Sequence, residues 1–319
     1  MSSSKVAVVD IGSNSTKVLI VWFDSGDSPR KIAEKSYTCR LFESNDLKIK
    51  SISKPVVQNL KNILEKLFNL SHDHDVSHIA IVATEAIRIA PNQVDVVREI
   101  ENKFGYRINV LKGEEEAALI AKGVQLDPII ASEKRFQAFD LGGGSLELIE
   151  YKTASGIKAQ SVPLGVLSLV AEFHPEREVA LSINAEGDLR EKLRQQIQQT
   201  ELARESAWPI VGLGGAVVFL RMILARCNNF KFEEASEISL CDISDLSQKV
   251  SKMNLEERLA KFPELPSDRA DVFPVACIVV EEILVNLGKT KLIHSFSNLR
   301  HGIASSLLTK PELFQPPCK

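Results

Sequence analysis

The chain begins its readable pattern with KVAVVD at residues 5–10, a β-branched run that ends in an acid. It has no helical gaps between its apolar positions, so it predicts a buried strand. TKVLIVWF follows a turn of small polar residues and predicts a second strand. The period then changes. In PVVQNLKNILEKLFNL, Val56, Leu60, Ile63, Leu64 and Leu67 fall on one helical stripe, with Pro55 at a favoured first position. HIAIVAT predicts a strand ending at Thr84, and NQVDVVREIENKFG a helix closed by Gly105. INVL predicts another strand. EEEAALIAKGV predicts a helix with Ala117, Ile120, Ala121 and Val124 at helical spacing.

Alternating strands and helices indicate an α/β architecture. After the polar stretch DPIIASEKR the strand-turn-strand device restarts at FQAFDL, which places a domain boundary near residue 126. The reading is therefore a first domain over 1–125, a second over 126–309 and a loose tail over 310–319. Long helices are predicted around 185–204, 216–227 and 274–288. The charge-rich 185–204 helix reads as a solvated face.

The restart carries an echo. Asp10-Ile11-Gly12-Ser13-Asn14-Ser15 and Asp140-Leu141-Gly142-Gly143-Gly144-Ser145 share D-[IL]-G-x-x-S, each between two apolar strands. A dinucleotide fingerprint needs a helix after its glycines, and no P-loop string occurs. A tight turn of small residues can instead aim several backbone N–H groups at one anion, with Ser15 and Ser145 adding hydroxyls. The following positions differ in sign: Lys17 in the first copy suits phosphate, and Glu147 in the second, with Asp140, suits a hard oxygen-preferring cation. Both also fit the polar face of a half-exposed strand. A third glycine cluster, VGLGGAVV, steps from strand to helix. It fits an anion site at a helix N-terminus or close packing equally well.

Composition narrows the partners. With 319 residues, 44% apolar and a formal charge of −3, the chain has core enough for two domains and no basic excess that would point to nucleic acid. The five scattered cysteines, Cys39, Cys227, Cys241, Cys277 and Cys318, include no C-x-x-C pair and read as reduced thiols of a cytoplasmic protein. Cys227 and Cys277 lie in apolar helices and read as core. The longest apolar run, PVACIVV, is too short to span a bilayer, and the N-terminus lacks a signal-peptide core. HDHD at 72–75 reads as a solvated turn.

In their order, DIGSNSTK, ATEAIRIAPN, GEEEAALIAKGV, DLGGGSLEL, GLGGA, DRAD and NLRHGI resemble the exopolyphosphatase and guanosine pentaphosphate phosphohydrolase family, within the actin, Hsp70 and sugar-kinase superfamily. The likeness runs from residue 10 to about 303. It implies two actin-like, ribonuclease H-like domains with the active site in the cleft between them. It also implies Mg²⁺-dependent removal of a terminal phosphate from inorganic polyphosphate or guanosine pentaphosphate, and a homodimer. By that resemblance Glu116 is the general base, and Asp140 and Glu147 orient metal and water, with Asp10 as a further metal carboxylate. Phosphate contacts fall on Ser13, Asn14, Ser15, Lys17, Arg88, Asn92, Gly143, Gly144 and Ser145. The helix alone would not select Glu116, because Glu114, Glu115 and Glu116 all suit the positive end of a helix. Arg88, amid apolar neighbours, calls for a phosphate or a buried carboxylate.

The chain departs from the family pattern at Leu146 and Ala216, where threonine is usual, and at Lys17, Val275 and His301. It also ends where long members continue. Two other readings stay open: a sensor that binds a phosphorylated guanosine nucleotide without turnover, and an ATP-dependent kinase.

Overall fold

The computed structural model describes residues 4–23, 29–42, 51–202, 204 and 207–309; the tail at 310–319 lies outside them. In chain order the elements begin with β1 (Ser4–Ile11), β2 (Ser15–Phe23), β3 (Arg30–Thr38), α1 (Lys54–Asp73), β4 (His78–Ala83), α2 (Glu85–Ile89), α3 (Gln93–Phe104), β5 (Ile108–Val110) and α4 (Gly113–Val124). They continue with β6 (Arg135–Leu141), β7 (Leu146–Lys152), β8 (Gly156–Val162), α5 (Val166–Phe173), α6 (Ile183–Gln198), β9 (Ile210–Leu213) and α7 (Gly215–Cys227). The last are β10 (Glu237–Ser239), α8 (Leu240–Ser251), α9 (Leu255–Lys261), α10 (Ser267–Ala270), α11 (Phe273–Asn286), β11 (Lys291–His294) and α12 (Leu299–Thr309).

These elements form two compact units, one from residues 1–132 with 297–319 and the other from 133–296. The division falls six residues or so beyond the one read at 126. It also returns α12, assigned above to the second domain, to the first unit, where it packs on α4 and on β1.

The first unit holds a sheet ordered β3-β2-β1-β4-β5, antiparallel through the first three strands and parallel from β1 to β5. In the second unit β8-β7-β6-β9-β11 repeats that order and those senses, and β10 adds an antiparallel edge. The echo of two loops is thus part of a duplicated sheet. In the first unit, alternate residues of β1 and β2 (Ala7, Val9, Ile11, Val18, Ile20) join the stripe of α1 in one core. The core of the second unit is built by α5, α7, α8 and the almost wholly buried α11 against β6, β7 and β9. No helix among the described residues is long and apolar enough to cross a membrane.

Two local readings change. Helix α6 turns Leu189, Leu193 and Ile197 inward and sends Arg190 to Glu281 and Glu282 of α11 at 2.8 and 3.0 Å, so it is not simply a solvated face. Cys277 is buried, but Cys227, the last residue of α7, is exposed because the helix ends there.

A buried and a half-buried histidine make stability depend on pH. His294 Nδ1 accepts from Arg221 Nη1 at 3.0 Å, and burial, then Arg221, lowers its pKa from 6.5 to about 4. His301 Nδ1 accepts the Asn298 N–H at 3.3 Å, and burial, then Arg300, lowers it likewise to about 4. Between these values both rings are neutral when folded and protonated when unfolded, so the unfolded chain binds more protons. Their contribution is therefore full above pH 6.5 and is lost as pH falls towards 4. Thermal melts should show Tm dropping across that window, with a shallower drop in His301→Gln. A Tm unchanged from pH 7 to 4 would contradict this.

Candidate active site

Each echo loop is a hairpin tip closed in the same way: the Gly12 N–H donates to Ser15 O at 3.1 Å, and the Gly142 N–H to Ser145 O at 3.0 Å. The carbonyls of the tips are taken by the chain that packs behind them. In the first unit Ser13 O and Asn14 O accept from Leu41 and Cys39 at 3.1 and 3.0 Å. In the second, Gly142 O, Gly143 O and Gly144 O accept from Val166, Leu167 and Gly165 at 3.1, 2.7 and 3.1 Å. All peptides among the described residues are trans, so each C=O opposes the N–H of the next residue. The N–H groups of Asn14 and Ser15 therefore face away from 39–41, and those of Gly143, Gly144 and Ser145 face away from 165–167. Three successive amides turned to one side are able to donate to a single anion. Gly165 permits it, because any Cβ there would overlap the main chain of Gly144. The side chains of Ser13, Ser15 and Ser145 are buried, and Asn14 Oδ1 accepts from Arg40 Nε at 3.2 Å.

Register aligns the charged groups. Asp140 pairs with Glu147, and Glu147 with Ser161, so all three share one face of the sheet. Ser161 Oγ donates to Glu147 Oε1 at 2.8 Å and fixes that buried carboxylate. Gly214, at φ 94°, is the N-cap of α7 directly beside Asp140; a Cβ there would stand 3.0 Å from Oδ1. The third glycine cluster thus lets a helix N-terminus approach the acid. Leu146 is buried in the apolar core on the face opposite Glu147, and Ala216, half-buried in the first turn of α7, packs against that core. The missing hydroxyl at Leu146 therefore subtracts nothing from the carboxylate row.

The equivalent row in the first unit is Asp10, Lys17 and Ser36. Burial raises the pKa of Asp10, opposed by the charges of Lys17 and Arg300. Glu116 is buried on α4, whereas Glu114 and Glu115 are exposed and Glu115 caps the helix through the Lys112 N–H at 2.9 Å. Arg88 Nη1 donates to Glu116 Oε2 at 3.1 Å and to Leu111 O at 2.6 Å, so a carboxylate is its neighbour. Asn92 is occupied elsewhere: its amide bonds both main-chain groups of Ile52, at 3.0 and 2.8 Å. The register partner Ser161, the glycine at 165 and Arg300 escaped the sequence reading, since no motif but NLRHGI contains any of them.

Among the described residues no three His, Cys, Asp or Glu side chains gather around one metal position within either unit, and HDHD forms no such group. Mg²⁺ that keeps its waters needs only one or two carboxylates and phosphate oxygens. The cross-strand pair Asp140 and Glu147, beside an amide nest, matches that donor set. Asp10 has a cation, Lys17, as its cross-strand partner instead.

Known structures share this arrangement of elements. A Ppx/GppA family member from Aquifex aeolicus superposes with a TM-score of 0.81 at 22% identity, covering 97% of this chain and 99% of that one. An exopolyphosphatase from Cytophaga hutchinsonii gives 0.82 at 22% identity over 96% and 98%. An exopolyphosphatase-like protein gives 0.83 at 21% identity over 95% and 97%. The family model for Ppx/GppA phosphatases matches residues 19–311. With nearly its whole length matched, the chain belongs to the Ppx/GppA phosphatase family and is a phosphoanhydride hydrolase.

Proposed function

We propose that the chain removes the terminal phosphate of inorganic polyphosphate or guanosine pentaphosphate by attack of a water that Glu116 deprotonates. The observation that carries this is the nest of Gly143, Gly144 and Ser145 amides next to the Asp140–Glu147 pair. A phosphoryl group in transfer needs positioning and charge neutralisation more than covalent partners. The nest and Ser145 bind phosphate oxygens. In the first unit the amides of Asn14 and Ser15 and the Lys17 ammonium do the same.

Asp140 and Glu147 would hold Mg²⁺, which when bound would neutralise charge on the phosphate oxygens. Ser161 keeps Glu147 in place for that role. Arg88 orients Glu116. The inward packing of Leu146 favours turnover over a nucleotide sensor, which its missing hydroxyl in part motivated.

Phosphate release should be followed with Mg²⁺ on short polyphosphate, long polyphosphate and guanosine pentaphosphate. Release from at least one, abolished by chelation, is expected. Binding of guanosine pentaphosphate without release would establish the sensor.

A further inference from the structure

We propose that Arg300 is a positioning residue that holds the Asp10–Lys17 pair of the first hairpin in place; the inference rests on the hydrolytic reading above. Asp10 pairs with Lys17, Lys17 with Ser36 and Leu19 with Glu34. Alternation along the strands then puts Asp10, Lys17 and Glu34 on one face of the sheet. Helix α12, which carries Arg300, packs on β1, β2 and β4 of this sheet. Arg300 Nη2 donates to Glu34 Oε1 at 2.8 Å, and Lys31 Nζ holds the other Glu34 oxygen at 3.3 Å. The guanidinium is buried, and Nη1 has no partner among the described residues. Asp10 Oδ1 is buried and without one as well.

A buried donor and a buried acceptor left over within one charge group are costly unless a bridging water joins them. The fork of arginine suits this, since it can engage Glu34 on one side while its second nitrogen faces inward. Lys17 is then set between an acid on its own hairpin and the charge of Arg300, which limits where its ammonium can go. Helix α12 cannot drift, because Gly302 meets the main chain of Leu119 and Gly123 that of Asn298, and a Cβ at either would overlap backbone. The same contact fixes α4, the helix of Glu116. One turn of α12 therefore positions both the base-bearing helix and the phosphate-binding lysine.

The test is a kinetic split in Arg300→Met, Arg300→Lys and Glu34→Gln, using tripolyphosphate over a Mg²⁺ titration. Because Lys17 binds phosphate while Mg²⁺ sits on Asp140 and Glu147, KM for tripolyphosphate should rise about tenfold or more in Arg300→Met, with the Mg²⁺ activation constant unchanged. Arg300→Lys should recover part of the loss, and Glu34→Gln should show a smaller rise of the same kind. Partial misfolding would instead lower kcat at constant KM. Unaltered KM in both Arg300→Met and Glu34→Gln, or a parallel rise in KM and the Mg²⁺ constant, overturns the inference. If Arg300→Met does not fold, Glu34→Gln alone decides it. A wild-type chain that releases no phosphate refutes the hydrolytic reading itself, which is a different result from an active wild type with indifferent variants.

Discussion

Replacing Glu116 by glutamine is expected to lower kcat for phosphate release by about 10²–10⁴-fold, the usual contribution of a positioned general base. Glutamine keeps the shape and the oxygen that accepts from Arg88 at 3.1 Å, so the buried contact survives. It cannot take a proton from water, so the loss should appear in kcat with KM nearly unchanged. Arg88→Met is the contrasting variant. It leaves the Glu116 carboxylate buried without its cation, which typically costs about 3–5 kcal/mol of stability. Melting should therefore shift strongly in Arg88→Met and little in Glu116→Gln. Retention of more than a tenth of wild-type kcat in Glu116→Gln would remove this residue from the role.

Much of this was legible along the chain, for definite reasons. The hairpins announced themselves because a four-residue tip between strands requires small residues, and the acid before each tip sits at a register position that both copies keep. The amphipathic stripes of α1 and α4 gave those helices directly. Glu116 was not separable from Glu114 and Glu115 by pattern, since the positive helix end favours all three. Only burial divides them, turning one inward and leaving the others to solvent and to the cap. Arg88 admitted either a phosphate or a carboxylate, and tertiary contact decided for Glu116. Asn92 looked like a ligand by its motif, but its amide is spent on Ile52. The return of α12 to the first unit was invisible for another reason. It depends on two glycines 179 positions apart in sequence, Gly123 and Gly302, whose facing backbones no local period records.

The amide nest depends on a residue that no motif marked, and Gly165→Ala should expose that dependence. The added methyl would overlap the main chain of Gly144, and backbone on both sides cannot yield as a flexible side chain does. Either the 163–167 segment or the tip must move. If the tip moves, Gly142 O, Gly143 O and Gly144 O lose their partners, and the opposed N–H groups lose their common direction. Overpacking of this kind costs about 1–3 kcal/mol. Three misdirected amides, each hydrogen bond to a charged phosphate being worth about 1.5–3 kcal/mol, should raise KM for polyphosphate at least tenfold. Gly187→Ala is the control. It lies in α6 with nothing near its would-be Cβ, and alanine should leave activity alone and add up to about 1 kcal/mol of helix stability. Paired melts and phosphate-release assays separate the two sites. Wild-type KM in Gly165→Ala would mean that the tip holds its shape without the 165–167 segment, and the nest would then lose its structural cause.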